Sequence, residues 1–174
     1  MQYPKRVTGG CNCGGVRYQL TFAPDHDWEH GGHTCQCTQC RKQSGALMLN
    51  FHTINLSELI WLSKTTYAEY NSSPPSRFFR VFCNTCGSTI GWLDRGEYRE
   101  MEIAVGTIDE DFLVGERDAE DRPVGGFGEA LVNVQGEHYY LRNEVKGVTD
   151  VSQGTWFWKL GRASKGAESE RQLD

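Results

Sequence analysis

Seven cysteines in 174 residues are the side chains with the clearest chemistry, and they come in three groups. The groups are Cys11-x-Cys13, Cys35-x-Cys37-x-x-Cys40 and Cys83-x-x-Cys86. An odd count fits badly with a fully paired disulfide framework, and these short spacings suit metal ligation better. Zinc takes thiolate sulfur in a tetrahedral shell, and a structural site is closed by four protein ligands. The first and last groups are each followed by glycine, Gly14 and Gly87, which lets the backbone turn tightly around an ion. Cys11, Cys13, Cys83 and Cys86 therefore read as the two halves of one four-thiolate zinc site.

Cys35, Cys37 and Cys40 remain. Three thiolates without a fourth describe a catalytic zinc, with one position open to water or substrate. Four thiolates leave Zn²⁺ at a net charge of −2, whereas three leave −1 and a better Lewis acid. Arg41 and Lys42 follow this group, where cations favour ionised thiols and can meet an anionic substrate. Other readings stand beside this one. His33, His52 or another histidine would close the three-cysteine group into a second structural site. Tetrahedral sulfur also suits a rubredoxin-like iron, and all seven cysteines can be core or redox thiols.

The elements that must position these residues read as short strands. Val16 to Phe22 alternates apolar and polar at the strand period. Leu47 to Phe51 and Ile60 to Leu62 read as further strands, with Tyr67 to Tyr70 pairing back beyond a turn at Ser63-Lys64. After the break at Ser72-Ser73-Pro74-Pro75 come Arg77 to Phe82, Thr89 to Leu93 and Met101 to Val105. Asp25 to His33 reads as a loop, Ile108 to Phe112 as one helical turn, and Gly115 to Gly128 as a long acidic loop. Leu131 to Val134 and Tyr139 to Leu141 read as late strands. Many short strands at close spacing predict a mainly β chain. Residues 1–160 are expected to form a single zinc domain, and the polar stretch 161–174 a disordered tail.

The net charge of −5 gives no basic footprint for nucleic acid. No run approaches the ~18 apolar residues of a membrane span, and the opening MQYPKRVTGG has no apolar core of a secretory leader. A cytoplasmic protein is expected, in a compartment that keeps thiols reduced.

The sequence resembles the glutathione-dependent formaldehyde-activating family, which includes the centromere protein V-like proteins. The matching stretches are Gly10 to Tyr18, Cys35 to Ala46, Tyr70 to Ser73 and Arg80 to Ser88, with echoes at Val105 to Asp109 and at His138. All seven cysteines fall in register. The resemblance implies the β-tent (Mss4-like) fold of antiparallel β-sheets with two zinc sites, split four and three as above. It also implies a carbon–sulfur lyase of the S-(hydroxymethyl)glutathione synthase type, which condenses glutathione with formaldehyde, and a homodimer. Two departures stand out. Gln36 replaces the usual histidine of the central Cys-His-Cys, and neither the stretch around Gly115 to Gly128 nor that beyond Arg142 follows the family's ending.

The expected chemistry joins a small-molecule thiol to a small carbonyl as a hemithioacetal, or runs in reverse. Arg41, Lys42, Ser44 and His138 are candidate substrate-binding residues: the cations for carboxylates, the hydroxyl for a hydrogen bond and the histidine as a proton carrier. Each also has a plain structural reading as solvated surface, turn stabiliser or core histidine. Trp156-Phe157-Trp158 can wall a pocket, dock a partner subunit or pack in the core. A non-catalytic zinc-stabilised binding module is the competing function, since fold does not dictate function.

Overall fold

The computed structural model describes residues 2–150, apart from 73, 76 and 134, together with the backbone of Trp156–Trp158. The architecture is mainly β, in two sheets. The smaller sheet has three strands in the order β1-β2-β5: β1 (Arg6–Gly10), β2 (Val16–Thr21) and β5 (Leu59–Lys64). The larger has eight, in the order β11-β10-β3-β4-β9-β8-β7-β6. Its members are β3 (Gly32–Cys35), β4 (Leu49–Asn55), β6 (Tyr67–Asn71), β7 (Phe78–Cys83), β8 (Thr89–Asp94), β9 (Glu100–Ala104), β10 (Glu137–Tyr139) and β11 (Trp156–Trp158). Pairing is antiparallel except where β10 runs parallel to β3 and to β11. Among the described residues four short α-helices sit between strands: α1 (Trp28–Gly31), α2 (Thr38–Ser44), α3 (Glu110–Leu113) and α4 (Gly128–Val132).

The strand period explains the core. In β2, Val16, Tyr18 and Leu20 are buried while Arg17 and Gln19 between them are partly exposed. They meet Val7, Ile54, Val81, Ile90, Met101, Ile103 and Leu131 in one apolar cluster. The Tyr18 hydroxyl finds a partner in Thr107 Oγ1 at 2.7 Å, as a fully buried phenol requires. Gly9 lets this ring approach: a Cβ there would lie 2.4 Å from Tyr18 Oη and 2.5 Å from the Thr107 carbonyl.

Several expectations change. Tyr67 to Tyr70 does form a strand, but it does not pair back on Ile60 to Leu62. Instead β5 joins β2, β6 joins β7, and the turn at Thr65-Thr66 carries the chain from one sheet to the other. That turn is tied to both sides, with Thr65 Oγ1 donating to the Gly15 carbonyl at 3.0 Å and the Asn84 amide donating to the Thr66 carbonyl at 2.9 Å. Leu131 and Val132 are helical rather than extended, because Ala130 and Leu131 bury one face of α4 against β3 and β4. The strand expected at Tyr139 to Leu141 ends at Tyr139, since Tyr140 takes a left-handed φ of 62° and starts a 3-10 turn over Leu141–Asn143. The expected helical turn at Ile108 to Phe112 becomes a 3-10 turn over Val105–Thr107 followed by α3. The segment Asp25 to His33 contains α1 and the start of β3. The stretch 161–174 lies outside the described residues, as do the side chains of Trp156, Phe157 and Trp158.

Candidate metal centres

Both cysteine clusters assemble. The sulfurs of Cys11, Cys13, Cys83 and Cys86 all lie within 4.8 Å of one another, and so do those of Cys35, Cys37 and Cys40. Every one of these cysteines is a free thiol. Neighbouring sulfurs stand 3.5 Å apart for Cys11 and Cys13, and 3.6 Å for Cys13 and Cys83. A disulfide would need about 2.05 Å, whereas the edge of a tetrahedron with ~2.3 Å metal–sulfur bonds is about 3.8 Å. The donor set therefore fits a thiophilic ion at both places.

The four-cysteine cluster joins two turns from different sheets. Cys11 and Cys13 lie on the β1–β2 turn, where Gly14 takes a φ of 78°; Cys83 and Cys86 lie at the β7–β8 turn, where Gly87 takes 75°. Neutral donors surround the sulfurs. The Val16 amide reaches Cys11 at 3.2 Å, Thr66 Oγ1 lies 3.0 Å from Cys83, and the Thr85 and Cys86 amides reach Cys83 at 3.4 Å. The side chain and amide of Ser88 hold the Cys86 thiol down at about 5.

The three-cysteine cluster is built from adjacent elements. Cys35 ends β3, Cys37 caps the N-terminus of α2 by accepting the Cys40 amide at 3.3 Å, and Cys40 lies buried in the first turn of that helix. Hydrogen bonds from Cys35 and Cys40 push the Cys37 thiol far down, and the Cys40 amide and the Arg80 charge act in the same direction. Among the described residues no histidine or carboxylate joins this group. His33 faces Glu102 Oε2 at 3.4 Å, and His52 donates from Nδ1 to the Leu131 carbonyl at 2.8 Å while its Nε2 pairs with His26 Nε2 at 2.9 Å.

Two residues not anticipated from the sequence stand beside this cluster. Arg80, on β7 and only 5% exposed, donates from Nη1 to Cys40 Sγ at 3.3 Å and from Nη2 to Gln39 Oε1 at 3.2 Å. Burial works against its charge, but the Cys40 and Cys37 thiolates outweigh it and Arg80 is held protonated more firmly than usual. A charge inside the apolar run Phe78-Phe79-Arg80-Val81-Phe82 is the signal that the sequence carries for it. Tyr140 packs against the cluster, and burial together with the three thiolates raises its phenol.

Of the anticipated substrate residues, Arg41 directs its guanidinium inward, to the Leu47 carbonyl at 2.7 Å, Gln36 Oε1 at 3.0 Å and the Asn143 carbonyl at 2.6 Å. Lys42 is exposed on α2. Ser44 donates to the Cys40 carbonyl at 2.8 Å and accepts the Ala46 amide, closing the helix end. His138 stands opposite Thr34 and bonds its hydroxyl at 2.6 Å. Its neighbour Tyr139 pairs with Cys35, so His138 projects to the other face of the sheet from the cluster. Gln36 is fully buried and accepts from Thr149 Oγ1 at 2.7 Å as well as from Arg41, bracing the cluster against residues 139–149.

No helix among the described residues is long and apolar enough to cross a membrane. No curated protein matches the chain. A crystal structure of a Rhodobacter sphaeroides protein is similar at 23% identity, with a TM-score of 0.48, covering 60% of this chain and 89% of that one. The family model for the glutathione-dependent formaldehyde-activating enzyme matches residues 6–122, a span that holds both cysteine clusters and Arg80. The chain belongs to the glutathione-dependent formaldehyde-activating enzyme family.

Proposed function

We propose that the protein is a zinc-dependent carbon–sulfur lyase that joins a thiol such as glutathione to formaldehyde or a related small carbonyl, or cleaves the adduct. One observation carries this reading: a cluster of three cysteine sulfurs with no fourth protein ligand among the described residues, beside a cluster of four. In the forward direction the thiol sulfur bonds to the carbonyl carbon, the carbonyl π bond opens, and the thiol proton ends on the new hydroxyl. Zinc, when bound, supplies a Lewis acid that favours the ionised form of a thiol.

The chain's own residues hold and shield the centre. Cys35, Cys37 and Cys40 are the proposed ligands of the catalytic ion, and Cys11, Cys13, Cys83 and Cys86 those of the structural one. Phe51, Ala104 and Tyr139 pack against Cys35 and Cys40 and keep that side dry, where electrostatic interactions are stronger than in water. Lys42 is the exposed cation on α2 and suits a substrate carboxylate, whereas Arg41 braces the cluster through Gln36. Free thiols throughout suit a reducing cytoplasm.

The test is exchange spectroscopy on glutathione with isotopically labelled formaldehyde. Adduct exchange should accelerate in proportion to zinc-loaded protein and fall to the uncatalysed rate for Cys40→Ser. A wild-type protein with both centres filled and no acceleration would instead make this chain a zinc-stabilised binding module.

A further inference from the structure

We propose that Arg80 is a positioning residue of the central cluster, a fixed countercharge that lets the three-cysteine centre accept an anionic sulfur. The inference rests on the reading of that cluster as a metal site, and its test is separable from the lyase activity.

The two clusters differ in what donates to their sulfurs. Among the described residues the donors at the four-cysteine cluster, including the amides of Val16, Thr85, Cys86 and Ser88 and the hydroxyls of Thr66 and Ser88, are all neutral. At the three-cysteine cluster a full positive charge reaches Cys40 Sγ, from a side chain that is 5% exposed. A guanidinium buried in an apolar strand is costly unless a negative partner meets it. Gln39 Oε1 fixes the second arm of the fork, so the Nη1 donor is aimed and not merely nearby.

The charges explain why this matters. A divalent ion with three thiolates carries −1, and Arg80 brings the assembly to zero. A fourth, incoming thiolate then takes it to −1. Without Arg80 the same step would end at −2 beside the buried Cys35 and Cys40, which disfavours entry of the substrate sulfur. The four-cysteine centre already stands at −2 and has no position left to fill. Strand β7 links the two, because it carries Arg80 at its middle and Cys83 at its end.

The experiment uses zinc-loaded full-length protein and the variants Arg80→Gln, Arg80→Lys and Gln39→Ala. A competitive chelator titration resolves the two zincs, and glutathione binding is followed on the cobalt-substituted protein by its sulfur-to-metal absorption. Arg80→Gln should weaken the central zinc about ten- to hundredfold, the usual effect of removing an outer-shell partner, and leave the four-cysteine zinc unchanged. It should also weaken glutathione binding, with Arg80→Lys intermediate and Gln39→Ala nearer wild type. Unchanged central affinity in Arg80→Gln, equal weakening of both zincs, or a wild type with a single zinc would overturn the proposal. Should Arg80→Gln not fold, Arg80→Lys decides: weakening confined to the central zinc supports the proposal, and none or equal weakening overturns it. Selective weakening in a protein that catalyses no adduct formation would refute the lyase reading and leave the role of Arg80 intact.

Discussion

Cys83→Ser and Cys40→Ser should have unequal consequences for stability. Cys83 is fully buried, and its sulfur accepts from Thr66 Oγ1 and from the Thr85 and Cys86 amides. Its cluster ties the turn at Cys11–Cys13 to the turn at Cys83–Cys86, segments that are distant in sequence and belong to different sheets. A structural zinc site contributes roughly 10–16 kcal/mol of apparent binding energy to folding, and loss of one ligand in four gives up about 3 kcal/mol or more of it. Poorer hydrogen bonding to the shorter serine adds about 1 kcal/mol. A loss near 4 kcal/mol lowers the melting temperature of a chain this size by about 8–16 °C, a large part of a domain stability of roughly 5–15 kcal/mol. The central cluster spans only Cys35 to Cys40, so a metal there closes a short loop and constrains the unfolded chain little. Serine at position 40 still offers Arg80 an acceptor. The expected loss there is about 1–2 kcal/mol, or roughly 2–8 °C, with one zinc retained. Thermal unfolding with zinc counted per chain is the assay. Equal destabilisation by the two substitutions, or a larger effect at Cys40, would refute the division into structural and open centres.

Two further outcomes follow from the fold around these centres. Gly9→Ala should lower stability by about 1–3 kcal/mol, because the added methyl meets both the Tyr18 hydroxyl and the Thr107 carbonyl and only the first belongs to a side chain; a denaturant titration that finds no loss would contradict the close approach. Burial pushes the His52 imidazole down to about 4, so the folded protein keeps it neutral where the unfolded chain takes up a proton near pH 6.5. The unfolded state then binds more protons between those values, and stability must fall as pH drops from about 6.5 to about 4, by at most roughly 3 kcal/mol from this group. Histidine resonances followed by NMR should show one ring that does not titrate until about pH 4, and ordinary titration of all five histidines would refute it.

The cysteine groups are legible in the sequence because metal ligation depends on residue type and short spacing, and both are written locally. Alternation in Val16 to Thr21 likewise marks a strand at the right place. What local pattern does not carry is partner choice. Ile60 to Leu62 and Tyr67 to Tyr70 look like a hairpin, yet the Thr65-Thr66 turn is held by Gly15 and Asn84 and sends the strands to different sheets. Leu131 reads as extended because a short apolar run has no visible period, and its burial against β3 and β4 decides for helix. Arg41 looks like a substrate cation from its position after Cys40, but its partners Leu47, Gln36 and Asn143 converge only in three dimensions. Arg80 is hidden for the same reason, forty residues from the sulfur it touches.

X-ray absorption at the zinc edge tests the inequality of the two centres most directly. Seven cysteine sulfurs shared by two zincs give a mean of about 3.5 sulfurs per metal, with the remaining half position filled by a lighter atom. Saturation with glutathione should raise the mean to about 4 sulfurs and remove the lighter scatterer. A mean that stays at about 3.5, with a nitrogen shell that glutathione does not displace, would show the central site closed by the protein and contradict the account.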